Sequence, residues 1–133
     1  MRHIVLNAKE KPLTSSMDLQ WFCECTGISS GRDTEKTMQK IMAVFLKRFE
    51  HERGVSAEDI ASAMDMNVMT INHHIRNLIR RGFIYRKKKL LYLRGGSLHA
   101  AIEELQKDAL HMFSNISQVA KQLDKKYKLK KRF

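Results

Sequence analysis

Three groups of side chains in this chain have the types and spacing to do chemistry. The first is Cys23-Glu24-Cys25, a pair of thiols one residue apart. Two soft ligands fall short of a tetrahedral metal site unless a histidine or a second chain completes it, so they read as two ordinary half-buried cysteines. The second is His99 with His111, twelve positions on. At 3.6 residues per turn that spacing sets them about 120° apart around a helix, diverging from any shared ion. The third group is denser. Thr70, His73, Arg76, Asn77 and Arg80 are followed by the consecutive cations Arg86, Lys87, Lys88 and Lys89. Hydroxyl, imidazole, amide and guanidinium groups read base edges, and a run of cations neutralises phosphates. There is no glycine-rich phosphate loop, Ser-His-Asp grouping or convincing pair of catalytic carboxylates, so no enzymatic activity, no metal and no cofactor is expected.

Charge points the same way as the third group. From Met66 to Ile102 there is no Asp or Glu, while Arg76, Arg80, Arg81, Arg86, Lys87, Lys88, Lys89 and Arg94 are all positive. A second concentration, Lys121, Lys125, Lys126, Lys128, Lys130, Lys131 and Arg132 against Asp124, closes the chain, and the formal total is +11. Such clustering is costly in self-repulsion without a polyanion. The partner it implies is nucleic acid. No apolar run approaches the ~20 residues that span a bilayer, and Lys9-Glu10-Lys11 interrupts any signal-like apolar stretch after Ile4-Val5-Leu6, so no membrane association or secretory signal is expected. Two cysteines make no disulfide framework, and a reducing cytoplasm is the expected compartment.

The elements that must position these groups follow from periodicity. Residues 1–32 read as an N-terminal extension: a short strand over Ile4–Leu6, a short helix through Leu19, Trp21 and Phe22 capped by Ser15 or Ser16 and stopped by Gly27, then a loop from Ile28 to Arg32. Its apolar content predicts packing against the next helix or across a dimer, and its net charge of only +1 gives it little attraction for phosphate. That next helix begins at Asp33 or Thr34, has Met38, Ile41, Met42, Phe45, Leu46 and Phe49 on one stripe, and ends at Gly54. Ser56, with Asp59 three residues on, starts another, whose core face is Ile60, Ala61 and Met64. Asn67 caps a third with Ile71, Ile75, Leu78 and Ile79 inward, closed by Gly82. Phe83–Tyr85 and Leu90–Leu93 then form a hairpin whose tip is Arg86–Lys89.

Residues 55–84 closely resemble the winged helix-turn-helix of ArsR- and MarR-type prokaryotic and archaeal transcription regulators. Ile60-Ala61, Asn67, Thr70-Ile71, His74-Ile75, Leu78 and Gly82-Phe83-Ile84 fall in that pattern without insertion. The resemblance implies a mainly α fold with a small β-hairpin wing, spanning residues 33–94. Helix geometry puts Met69, Thr70, His73, Arg76, Asn77 and Arg80 on the face opposite Ile71, Ile75 and Ile79, where they and the cap Asn67 would meet DNA. Arg76 and Arg80 are equally able to stay solvated or bind phosphate. The resemblance adds Asn72 as a DNA contact and packs His74 toward the core, and the wing at Arg86–Lys89 fits phosphate or the minor groove. The wing's alternative is a solvated charged turn that keeps a hairpin edge from aggregating. Family members that sense metal through Cys-x-Cys carry it where this chain has Ile60-Ala61-Ser62, and those with zinc on the last helix need an Asp where Ser97 stands.

Ser97 caps the final helix, expected over residues 97–127, with a basic tail at 128–133. Leu98, Ile102, Leu105, Ala109, Met112, Ile116, Val119 and Leu123 are spaced 4,3,4,3,4,3,4, an a/d seam along a helix roughly 40 Å long. The seam predicts a homodimer; a long helix lying across its own core is the alternative. The expectation is a homodimeric, sequence-specific DNA-binding regulator, most simply a repressor. An architectural, chromatin-like DNA-binding protein and a purely protein-binding winged helix are the competing classes.

Overall fold

The computed structural model describes residues 6, 10–11, 14–29, 36–49 and 53–132. The expected strand at Ile4–Leu6, apart from Leu6, and the helix start at Asp33 or Thr34 lie outside them. Among the described residues there are five α-helices: α1 (Asp18–Cys25), α2 (Thr37–Arg48), α3 (Ala57–Met64), α4 (Val68–Arg80) and α5 (Leu98–Lys126), with strands β1 (Ile84–Lys87) and β2 (Leu90–Leu93) between α4 and α5. The fold is mainly α, with a two-stranded antiparallel hairpin and a long C-terminal helix.

The apolar stripes converge on one core. Ile41, Met42 and Phe45 of α2, Ile60 of α3, Ile71, Ile75 and Leu78 of α4, and Leu91 of β2 are all fully buried in a single cluster. Local chemistry sets the boundaries. The Ser56 hydroxyl accepts the Asp59 N–H at 3.1 Å and starts α3. Asp65 takes a left-handed conformation (φ 51°), tolerable for a short polar side chain, and makes the tight turn into α4. Asn67 Oδ1 accepts the Met69 N–H at 2.7 Å. Gly82 (φ 86°) ends α4 in a Schellman arrangement, its N–H donating to the Ile79 carbonyl and that of Phe83 to the Leu78 carbonyl.

Several boundaries differ from expectation. α2 ends at Arg48, not at Gly54. Gly54 instead leads into Val55, which bridges Leu91 through reciprocal hydrogen bonds of 2.9 and 2.7 Å and so lines the outer edge of β2. A methyl group at Gly54 would sit 2.6 Å from Leu90 Cβ, so it is close approach of β2, not a helix stop, that requires glycine. α1 follows a 3-10 turn at Ser15–Met17 and has no side-chain cap, so neither Ser15 nor Ser16 caps it. Gly27 (φ 73°) does follow its end. Cys23 is buried in the core, not half-buried, and Ile28, at the start of the expected loop, is buried there too. α1 packs on α2, as expected for the extension, and the Phe22 ring meets Phe83 edge-on at 5.7 Å. Arg86 and Lys87 belong to β1, which leaves Lys88-Lys89 alone as the turn.

α5 divides in two. Ala101 and Leu105 are buried in the core, with Leu98 and Ile102 packed against it, whereas every side chain from Leu110 to Arg132 is exposed. The a/d seam is therefore not one surface: Leu98, Ile102 and Leu105 are committed to their own domain. Arg94 fastens this near half. Its guanidinium bonds Glu104 through Nε and Asp108 through Nη2 (3.1 Å), and its N–H donates to the Phe83 carbonyl.

Gly54→Ala tests the packing of β2 against its neighbour. Overpacking of this kind typically costs about 1–3 kcal/mol, and a lowered melting temperature by circular dichroism is expected. An unchanged melting curve would show that the close approach is absent in solution.

Candidate nucleic-acid interface

Burial of Ile71, Ile75 and Leu78 forces the opposite side of α4 into solvent. Met69, Thr70, His73, Arg76 and Arg80 are exposed, and Asn72 and Asn77 are half-exposed at the edges of the face. The face expected from sequence is thus on one side of one helix. Met69 is 75% exposed at the first turn, a rare position for a large apolar side chain unless it meets something apolar, such as a thymine methyl. Asn67 lies on the same end, but its carboxamide oxygen is spent on the helix cap. His74 is half-buried beside His73, their rings 5.6 Å apart and steeply inclined, in keeping with a packing role.

The wing is joined to this face directly. Arg86 Nη2 donates to Asn72 Oδ1 at 3.0 Å. Strand alternation explains it: Arg86 shares its side of β1 with the buried Ile84, so its stem runs toward α4. Asn72 has no charge to cancel the guanidinium, so the bond orients Arg86 without neutralising it. Lys87, Lys88 and Lys89 are exposed. Lys88 and Lys89 both have positive φ, 50° and 67°. A two-residue hairpin turn with that backbone ordinarily calls for Asn-Gly, and each non-glycine residue held there costs roughly 1 kcal/mol.

One expected cation is withdrawn from the surface. Arg94, counted within the acid-free stretch, has a side chain only 15% exposed and lies against two carboxylates of α5. Its burial was missed from sequence, although Glu104 and Asp108 at i, i+4 just past the stretch were the available signal. The Asn72–Arg86 bond had no sequence signal, because it depends on how far the hairpin folds back. No group of three or more His, Cys, Asp or Glu side chains suited to holding a metal occurs among the described residues, and His99 instead lies 3.2 Å from Glu103.

Comparison with known proteins bears on this half of the chain. Residues 25–87 match the family model of the replication protein A C-terminal domain. The match runs from the end of α1 through β1, taking in α4 and the start of the wing. It supports a winged-helix-like, DNA-binding domain and does not single out the ArsR or MarR regulators. No curated protein and no solved structure gave a significant match to the chain.

A double-mutant cycle checks the junction of wing and helix. Asn72→Ala should weaken duplex binding by roughly 2- to 10-fold, the worth of one orienting hydrogen bond. Added to Arg86→Ala it should cost almost nothing more, because the two residues act as a unit. Fully additive losses, measured by fluorescence anisotropy, would show that the two residues bind independently.

Proposed function

We propose that the protein is a homodimeric regulator that binds double-stranded DNA sequence-specifically, with α4 in the major groove and the wing on the flanking backbone. It acts most simply by occluding a promoter, in the cytoplasm, without a catalytic step. The observation that carries the DNA contact is the wing turn: two lysines held in left-handed backbone, where uncharged Asn-Gly would fold more cheaply, beside a helix face free of carboxylates. Strain retained at a charged tip supports a phosphate contact over a merely solvated turn. Exposed Thr70, His73 and Arg76 and half-exposed Asn77 supply base-reading chemistry on the same side.

The dimer rests on the far half of α5. Met112, Ile116, Val119 and Leu123 are each about half or more exposed, on an a/d spacing that continues past the domain's own core. Between Asp108 and Lys121 there is no charged residue, an unusual composition for a helix surrounded by water. A second copy of the same stripe would cover it, as in two-stranded helical packing.

The family match favours a second reading, a DNA-binding module associated with replication; an architectural protein with little sequence preference is the other alternative. Selection of bound sites from a random duplex pool separates the two: an enriched, two-fold-symmetric motif supports the regulator, and no enrichment supports the second reading or an architectural role. Variants refine the test. Neutralising Lys87, Lys88 and Lys89 should weaken binding to all sequences and reduce the salt slope by roughly one unit per lost phosphate contact. His73→Ala or Asn77→Ala should mainly lower discrimination, by on the order of 1–3 kcal/mol per base contact. Met112→Glu with Ile116→Glu should give folded monomers by sedimentation, since neither side chain supports the protomer core. A dimer that survives both substitutions would remove the far half of α5 from the interface.

A further inference from the structure

The outer side of the hairpin carries an aromatic surface that the groove-reading face does not use. The register sets Tyr85 opposite Tyr92, and their rings are stacked at 5.4 Å and 16°. Alternation along the strand puts Lys87 on the same outer side as Tyr85, away from Ile84 and Arg86. Tyr92 is held firmly beneath. Phe49 meets it edge-on at 6.3 Å, and the backbone of Gly54 lies so close that a methyl there would be 2.8 Å from Tyr92 Cζ. Tyr85, by contrast, is 47% exposed. The adjoining side chains Lys87, Lys88 and Lys89 are all exposed cations, in a stretch that contains no carboxylate.

An aromatic ring backed by a fixed partner and bordered by cations is suited to one kind of ligand. A base offers its π-face to such a ring, and the cations meet the phosphates on either side of it. Inside a duplex both faces of each base are already stacked, so this chemistry selects an unpaired base. A cross-strand tyrosine pair also stabilises a hairpin by a few tenths of a kcal/mol to about 1 kcal/mol. That role requires contact between the rings; it does not require the exposed ring to be rimmed by lysines.

We propose that Tyr85, backed by Tyr92 and flanked by Lys87, is a stacking site for unpaired bases, so that the wing binds single-stranded DNA in addition to any duplex held by α4. The site extends the proposed function to DNA in which a duplex meets an open strand. It rests on the DNA-binding reading of the wing, but not on sequence specificity or dimerisation.

The test uses the full chain and two fluorescently labelled probes, a 20-nucleotide oligothymidylate and a duplex of equal length, titrated by anisotropy. Tyr85→Leu keeps an apolar contact with Tyr92 and removes the π-face; Tyr85→Trp keeps both. Loss of one stacked base corresponds to roughly 5- to 100-fold in affinity. Tyr85→Leu should lose that much for oligothymidylate and stay within about 2-fold for the duplex, while Tyr85→Trp binds both at least as well as the parent. Equal losses on both probes would make Tyr85 a structural part of the hairpin and overturn the proposal. So would a parent protein that binds duplex and not oligothymidylate, a result that leaves the proposed regulator standing. Tyr85-dependent binding of the single strand without duplex binding would uphold the stacking site and overturn the regulator. Melting temperatures of the variants, expected within a few degrees of the parent, keep the comparison free of unfolding.

Discussion

The guanidinium of Arg94 ties the two halves of this molecule together. Arg94 lies where the hairpin returns to the body, its backbone N–H donating to the Phe83 carbonyl just after α4, and its side chain reaches Glu104 and Asp108 on α5. Three segments separated in sequence therefore meet at one residue, through its backbone and its side chain. A half-buried cation is costly without counter-charges, and two carboxylates one helical turn apart supply them. The path of α5 away from the core follows from this fastening, because Gly95 and Gly96 (φ 72° and 82°) leave the backbone there free to turn sharply. Arg94 also divides the electrostatics: it is paired with two carboxylates, whereas α4 and the wing carry none.

That division shapes the rest of the chain. The near half of α5 covers the core, whereas every side chain of the far half from Leu110 to Arg132 is exposed. α1 contributes Cys23 and Phe22 to packing, and its tryptophan indole donates to the carbonyl of Glu10. The exposed groups that the proposed function uses are thus on α4, the hairpin and the far half of α5. Each projects from an element whose opposite side, or whose root, is buried.

Most of the frame was legible in the sequence, for physical reasons that can be assigned. The inner stripe of α4 and its caps at Asn67 and Gly82 are local: one helix period, one side-chain acceptor, one positive φ. The hairpin was legible from two apolar runs, but not its turn, because the rule that puts Asn-Gly at such a turn is broken by Lys88-Lys89. Gly54 was misread as a helix stop because a glycine required by a neighbouring strand looks, in sequence, like one that ends a helix. The a/d seam of α5 was correct as a period and wrong as a single surface. Periodicity identifies which residues share a face, but not where a partner within the same chain ends and water begins. Arg94 and the Asn72–Arg86 bond are long-range pairings, and no local pattern encodes them.

The turn at Lys88-Lys89 has a consequence for how this protein can change. Its backbone would relax if asparagine and glycine replaced the two lysines, so the tip is a place where folding and charge pull in opposite directions. Substitutions chosen only to firm up the hairpin would strip the wing of its foremost cations and leave a sturdier molecule with a weaker hold on a polyanion. If the wing binds DNA as proposed, thermal robustness and affinity are traded against each other within two residues. The direction in which those two residues drift would disclose which of the two a given lineage had been selected to keep.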